Sequence, residues 1–235
     1  MDDTVTIDFN KPLPLFPLQR CVLLPHAAVP LHIFEDRYRA MTRDALDSHG
    51  LIAMAVYDPE PDELEEIGPP EDAPPLLPAV CVGYISRHDR LDDGRYQLIL
   101  QGLTRATIRE EVQPDDGGYR KAMLEPRVDS EAHEIDFERP RAVLDGLLAD
   151  PLLNSLASVK ATEAWREHAM PTAMLVDLAS LMVLQDDQER YAMLADDDPL
   201  ARTQRLIFQL QGLKKTLEIA NKFGRGQSDE GLPLN

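Results

Sequence analysis

Apolar and polar positions follow different periods along the chain, and each change of period marks a change of element. Between Leu13 and Gly50 four prolines, Pro14, Pro17, Pro25 and Pro30, punctuate short apolar runs. Proline fixes its own φ and has no backbone donor, so these runs are expected to be short and edge-like rather than central strands. Leu15–Leu18, Cys21–Leu24 and Leu31–Phe34 read as three extended pieces. From Glu35 to His49 the apolar residues Tyr38, Met41 and Ala45 recur at three- and four-residue spacing, with acids at the start and Gly50 at the end. That pattern predicts one amphipathic helix closed by a left-handed cap. Leu51–Tyr57 is a near-continuous apolar run of strand length, expected at the centre of a sheet and covered on both faces. Residues 1–12 alternate weakly through Val5, Ile7 and Phe9, which fits either a lead-in strand or a frayed end.

Extended chain resumes from Leu76 to Arg87, where Gly83 suggests a bulge or a close backbone approach. Asp92, Asp93, Gly94 and Arg95 form a hairpin signal, because Asp-Gly tolerates positive φ. Beyond it Tyr96, Leu98 and Leu100 fall on one face and Gln97, Ile99 and Gln101 on the other. Thr104–Val112 continues the sheet, 115–118 turns, and Tyr119–Leu124 returns. Six or more strands, one early helix and tight turns describe a closed or nearly closed β-rich domain.

The period becomes helical from Glu138. Val143, Leu144, Leu147 and Leu148 form a stripe, with Pro140 in the first turn and Pro151 at the end. A second helix is expected over Ser155–His168, carrying the sole tryptophan, Trp165, and a third after Pro171 with Met174, Leu175, Leu178, Leu181 and Met182 on a broad apolar face. A short helix over Gln188–Leu194 precedes a last one opened by Pro199, in which Leu206, Leu210, Leu213 and Leu217 keep one side apolar. Asp196, Asp197 and Asp198 suit the N-terminus of that helix. The expected class is α+β: a β-rich domain over 1–130, a helical bundle over 131–223 and a flexible tail over 224–235.

Composition narrows the partners. With 42 acidic and 24 basic residues the formal charge is −18, which repels phosphate backbones and anionic bilayers, so neither nucleic acid nor membrane is an expected partner. The sharpest shift is Asp58–Pro75, with eight acids, six prolines and no base. It is read as a mobile acidic loop rather than a cation site, since scattered carboxylates lack fixed coordination geometry. Cys21 and Cys81 fit buried thiols in a reducing compartment, with a redox pair of sheet neighbours as the other reading. The acidic start MDDTVTIDFN shows no basic or apolar leader region, and Ala173–Leu184 is too short to span a bilayer. A cytoplasmic location is expected.

LPLFPL, then VLLP, then VPLHIFEDRY followed by a helix, resembles the N-terminal domain of the Lon protease family, particularly short bacterial proteins that carry this domain without a protease. A second block, Val82-Gly83-Tyr84-Ile85, Asp93-Gly94-Arg95-Tyr96 and Leu100-Gln101-Gly102-Leu103-Thr104-Arg105, looks like the family's second pair of strands. Together they cover most of 13–110. The resemblance implies a PUA-like pseudo-barrel followed by a helical bundle, and a domain that helps engage substrates and supports assembly. A related domain in cereblon docks a ubiquitin-ligase adaptor.

The chemistry of the longer proteases has no counterpart in these residues. A P-loop needs free backbone donors around phosphate, whereas Gly212-Leu213-Lys214-Lys215-Thr216 lies in a leucine-periodic helix. There is no GxSxG, and His26, His32, His49, His88, His133 and His168 show no metal-ligand spacing. No catalytic residue, metal or cofactor is assigned. The candidate recognition patch is Glu35, Arg37, Tyr38, Arg95 and Arg105, since exposed arginine and tyrosine anchor interfaces. Each also has a structural reading: Glu35 at a helix start, Tyr38 packed inward, and the arginines paired with carboxylates. The expected function is non-catalytic binding of polypeptide or a partner protein. The alternative is a small-molecule binder or enzyme using a groove between the β domain and the helices.

Overall fold

The structure is a computed structural model and is described for residues 5–58, 74–112, 118–166 and 170–226. Most of the acidic loop expected over 58–75, His168 and most of the tail therefore lie outside the described residues. Two compact units emerge, Met1–Asp129 with Asp186–Asp197, and Ser130–Gln185 with Asp198–Asn235.

The first unit is organised by β5 (Tyr96–Val112), a single strand of 17 residues that replaces the two pieces expected there. Its Tyr96–Thr107 stretch pairs antiparallel with the whole of β4 (Ala79–Arg90). Its later half, Ala106–Val112, pairs antiparallel with β6 (Lys121–Pro126), and its earlier half, Tyr96–Gln101, with β2 (Ala28–Ile33). β4 continues to β3 (Leu51–Val56), which pairs parallel with β1 (Leu13–Leu18), and β1 meets β6. The β5–β6 pairing closes these five strands into a ring, with β2 left outside as an extra edge. Closure leaves no open edge within the ring.

The interior follows from alternation. Leu13 and Leu15, Ala53 and Ala55, Val80 and Val82, and Ala122 and Leu124 each point inward from alternate positions, with Ala106 completing the fill. The alanines suit the narrow bore of a five-stranded ring. Val5, Ile7 and Phe9 pack against this core without forming a strand. Tyr38, Met41, Thr42 and Ala45 of α1 (Asp36–Leu46) are buried, and Phe16 of β1 meets Tyr38 edge-on at 4.7 Å. Every residue of β3 is consequently buried, as its apolar run predicts. Gly50, at φ +68°, donates its N–H to Ala45 O and ends α1 as expected.

Two extended readings give way to the structure. Cys21–Leu24 is a loop, half-buried at Cys21 and buried from Val22, not a strand, because it folds down onto β5: His26 N donates to Gly102 O and Gly102 N to Ala27 O, at 2.9 and 2.8 Å. A Cβ on Gly102 would collide with the Leu24 carbonyl, so only glycine permits this approach. The prolines of β1 are not on an edge, since β1 has β3 on one side and β6 on the other. Leu15 N donates to Arg120 O, so Pro17 directs its missing donor to that same side, beyond the β6 ladder that ends at Pro14. Pro30 does sit on the outer strand, β2.

The contact pattern also gathers α6 (Asp187–Ala195) into the β-rich unit, where the sequence reading assigns 131–223 as one bundle. Asp186 accepts from the N–H groups of Gln188 and Glu189 and caps its start. Two arginines take the carbonyls at its other end: Arg105 of β5 donates to Met193 O and Arg127, just past β6, to Ala195 O. Arg127 also grips Asp197 at 2.7 and 2.9 Å, and Tyr191 Oη accepts from Ala79 N. Of the three aspartates Asp196–Asp198, Asp198 serves the next helix, accepting from Leu200 N.

The second unit comprises α2 (Glu138–Leu148), the short α3 (Ala157–Lys160) and α4 (Glu163–Arg166), α5 (Thr172–Val183) and α7 (Pro199–Gly226). The helix expected over Ser155–His168 is broken. Leu156 is extended at ψ 130°, and the Ser155 and Thr162 hydroxyls bond back to Leu152 O and Val159 O, competing with continuous helix. α5 is buried over most of its length, Asp177 included. Asp177 pairs with Arg202 of α7 at 3.5 Å, both side chains fully enclosed. Leu206 and Leu210 are buried, whereas Leu213 and Leu217 are half-buried as α7 runs towards solvent.

Candidate functional site

The extension of the sheet by β2 creates a three-stranded platform outside the ring. Register sets its outward rows: Pro30 faces Ile99 and Ile99 faces Arg87, while His32 faces Gln97 and Gln97 faces Asp89. These six side chains, with Leu31 and Leu98, line an open trough of about 410 Å³. The two bulges between β4 and β5, at Val82/Gly83 and Ile85/Arg87, bend the strands just before it.

Its end is furnished by α1 and the hairpin. Phe34, 60% exposed, stacks on His32 with ring centroids 6.1 Å apart. Arg95 Nη1 lies 3.3 Å from His32 Nε2, and Arg95 Nε donates to Asp93 at 2.6 Å. The Arg95 backbone N–H also donates to Asp93, and this hydrogen bond, with the guanidinium beside it, holds the Asp93 carboxyl below the usual range. Arg39 donates to Gly94 O and to Asp36, tying the hairpin tip to the start of α1. Arg87 has Asp89 at 3.8 Å. Each arginine of this face therefore has a carboxylate beside it, and the face carries no basic strip able to follow a phosphate chain.

The five sequence-selected residues do not converge. Arg95 alone borders the trough. Glu35 and Arg37 pair with each other at 2.8 Å at the helix start, next to Phe34. Arg37 lies over the ring of Tyr38 at 4.7 Å, but Tyr38 itself is buried, and burial, with Tyr57 nearby, pushes its hydroxyl well above the ordinary tyrosine value. Arg105 is 4% exposed and serves α6, with Asp129 at 3.7 Å. The residues the sequence reading passed over are His32, Phe34, Arg87 and Ile99. Period two through 28–34 would have found the first two, because Ile33 points inward and its neighbours must point out. Among the described residues no three His, Cys, Asp or Glu side chains gather so as to hold a metal ion, and no helix is long and apolar enough to cross a membrane.

A closed β ring with a helical unit that follows it is matched by a family model, the substrate-binding domain of ATP-dependent protease La (LON), over residues 12–212. The chain belongs to the LON substrate-binding domain family. The Lon protease of Dictyoglomus thermophilum is 27% identical over 229 residues, covering 92% of this chain and 26% of its own. That of Chloroherpeton thalassium is 23% identical, with 92% and 25% covered. This LON-family chain thus spans about a quarter of the length of the curated relatives it matches. Among solved structures, a Lon N-terminal domain protein from Xanthomonas campestris matches with a TM-score of 0.55 at 24% identity, over 84% of this chain and 97% of that one. The N-terminal domain of a Mycobacterium avium complex Lon protease matches at 0.58 and 19%, over 86% and 98%. These likenesses agree with the α+β class read from the residues.

Proposed function

We propose that this chain binds polypeptide without acting on it chemically, and that the β2–β5–β4 platform receives the bound segment. The observation that carries the reading is membership of a substrate-binding family across 12–212. The platform supplies a surface suited to that role. Ile99, Pro30 and the Phe34–His32 stack offer apolar contact, and Gln97, Arg87 and Asp89 offer hydrogen bonds beside it. β2 ends the strand order, so an extended segment can also add along its outer edge, with Pro30 withholding one donor. Because its charges are matched, the face selects for extended shape and apolar side chains rather than for net charge.

The test is a peptide array of overlapping segments probed with the purified chain and with the Phe34→Ser, Arg87→Glu variant. The chain is expected to retain a set of peptides sharing large apolar residues, and the variant to lose about tenfold in affinity for them. Retention of no peptide, or retention unchanged by the variant, contradicts the proposal.

A further inference from the structure

We propose that the exposed α2–α7 face of the helical unit docks an acidic polypeptide segment carrying a large apolar side chain. Phe208 of α7 is 72% exposed and Val143 of α2 45% exposed, two of the few large apolar side chains left in solvent. With Pro140 and Ile207 they shape a shallow groove of about 320 Å³, bordered by Arg139 and Gln211. An exposed row of side chains runs on from the groove along one side of α7. At helical spacing Phe208 is followed by Gln211, Lys215, Ile219 and Lys222, and all five are exposed. Ile219 is 47% exposed.

Charge identifies the occupant. In a chain of net charge −18, residues 199–226 carry six bases, Arg202, Arg205, Lys214, Lys215, Lys222 and Arg225, against one acid, Glu218. Arg202 pairs internally with Asp177 and Lys214 with Asp150. Lys215 and Lys222 are exposed on α7, and Arg139 is exposed on α2 beside the groove. An acidic partner is repelled by most of the molecule and attracted here, so the same field that rejects it elsewhere orients it onto this face. The apolar groove accepts one large side chain, and the flanking bases meet its neighbouring carboxylates. A second copy of the chain fits poorly, because a two-fold contact would set these bases against their own equivalents.

The test uses three labelled peptides with a central Leu-Phe pair flanked by glutamate, by glutamine or by lysine, titrated against the full chain by anisotropy at low salt. The glutamate peptide is expected to bind at least about tenfold more tightly than the lysine peptide. Phe208→Ser is expected to weaken it about tenfold while leaving the thermal melt unchanged, since Phe208 is solvent-exposed. Arg139→Glu with Lys215→Glu is expected to reverse the preference towards lysine. Phe34→Ser, on the separate β platform, is expected to leave glutamate-peptide binding unchanged. Equal or absent binding of the glutamate and lysine peptides overturns the proposal. So does indifference to Phe208→Ser, or sedimentation showing self-association that Phe208→Ser abolishes.

Discussion

The outward faces of the two units differ in one property, the way their charges are matched. On the β platform Arg87 lies beside Asp89 and Arg95 holds Asp93, so apolar side chains and backbone are what remain to be read. On the α2–α7 face Lys215 and Lys222 stand beside Phe208 and Ile219 with Glu218 as the single acid of α7, so charge itself is read. A chain this acidic can thus offer one surface indifferent to a partner's charge and another that selects for it.

The largest expected effects lie in the cores beneath those faces. Asp177→Ala removes the carboxylate paired with the buried Arg202 in the interior of the helical unit and should destabilise it by about 3–5 kcal/mol. Trp165 lies in that unit, so its fluorescence during urea unfolding reports the change directly. In the β unit, Gly102→Ala forces a methyl into the Leu24 carbonyl and should cost roughly 1–3 kcal/mol, seen as a lowered midpoint in the far-ultraviolet strand signal. If Asp177→Ala and Gly102→Ala shift both probes alike, the two units do not have separate stabilities.

Surface changes come next. Phe34→Ser should weaken platform peptides by about tenfold and move stability by less than about 0.5 kcal/mol, checked by anisotropy and melting together. Raising salt from about 50 to 500 mM should weaken the glutamate peptide on the α2–α7 face several-fold while changing platform binding by less than about twofold. Equal salt dependence at the two faces would erase the distinction.

The smallest effect is a titration. Lys214 donates to Asp150 at 2.6 Å and holds its carboxyl below the ordinary aspartate value, helped by the N–H groups of Leu152 and Leu153. A depressed carboxyl contributes stability above its unfolded pKa of about 3.9 and loses it as pH falls through the folded value. The window is therefore acidic, below about pH 4, and neutral-pH stability is flat with respect to this pair. Carboxyl-carbon NMR should place the Asp150 midpoint below that reference, and Lys214→Ala should raise it.

Features set by local pattern were legible in the sequence. The apolar run of β3, the Asp93-Gly94 hairpin, the Gly50 cap and the buried leucines 206 and 210 all act through their own side chains and near neighbours. Residues whose conformation is decided by distant chain were not. Cys21–Leu24 has strand-like composition, yet Gly102, about eighty positions away, draws it into a loop. α6 has ordinary helical periodicity, and only Arg105, Arg127 and Ala79 explain why it belongs with strands. The same limit governs the candidate sites. Arginine and tyrosine suit an interface by residue type, but Tyr38 and Arg105 are consumed by packing and helix capping. Phe34 and His32 become a surface feature only once β2 is placed outside the ring. Lys215 and Phe208 share a face by helical spacing alone, so that juxtaposition was readable, although the exposure of Phe208 was not.

Hydrogen exchange in the presence of a neutral Leu-Phe peptide tests the central reading most directly. Added protection is expected to be confined to 28–34, 86–90 and 96–99, with 139–143 and 204–222 unchanged. Protection absent from 28–34 and 96–99, with or without protection elsewhere, would contradict it.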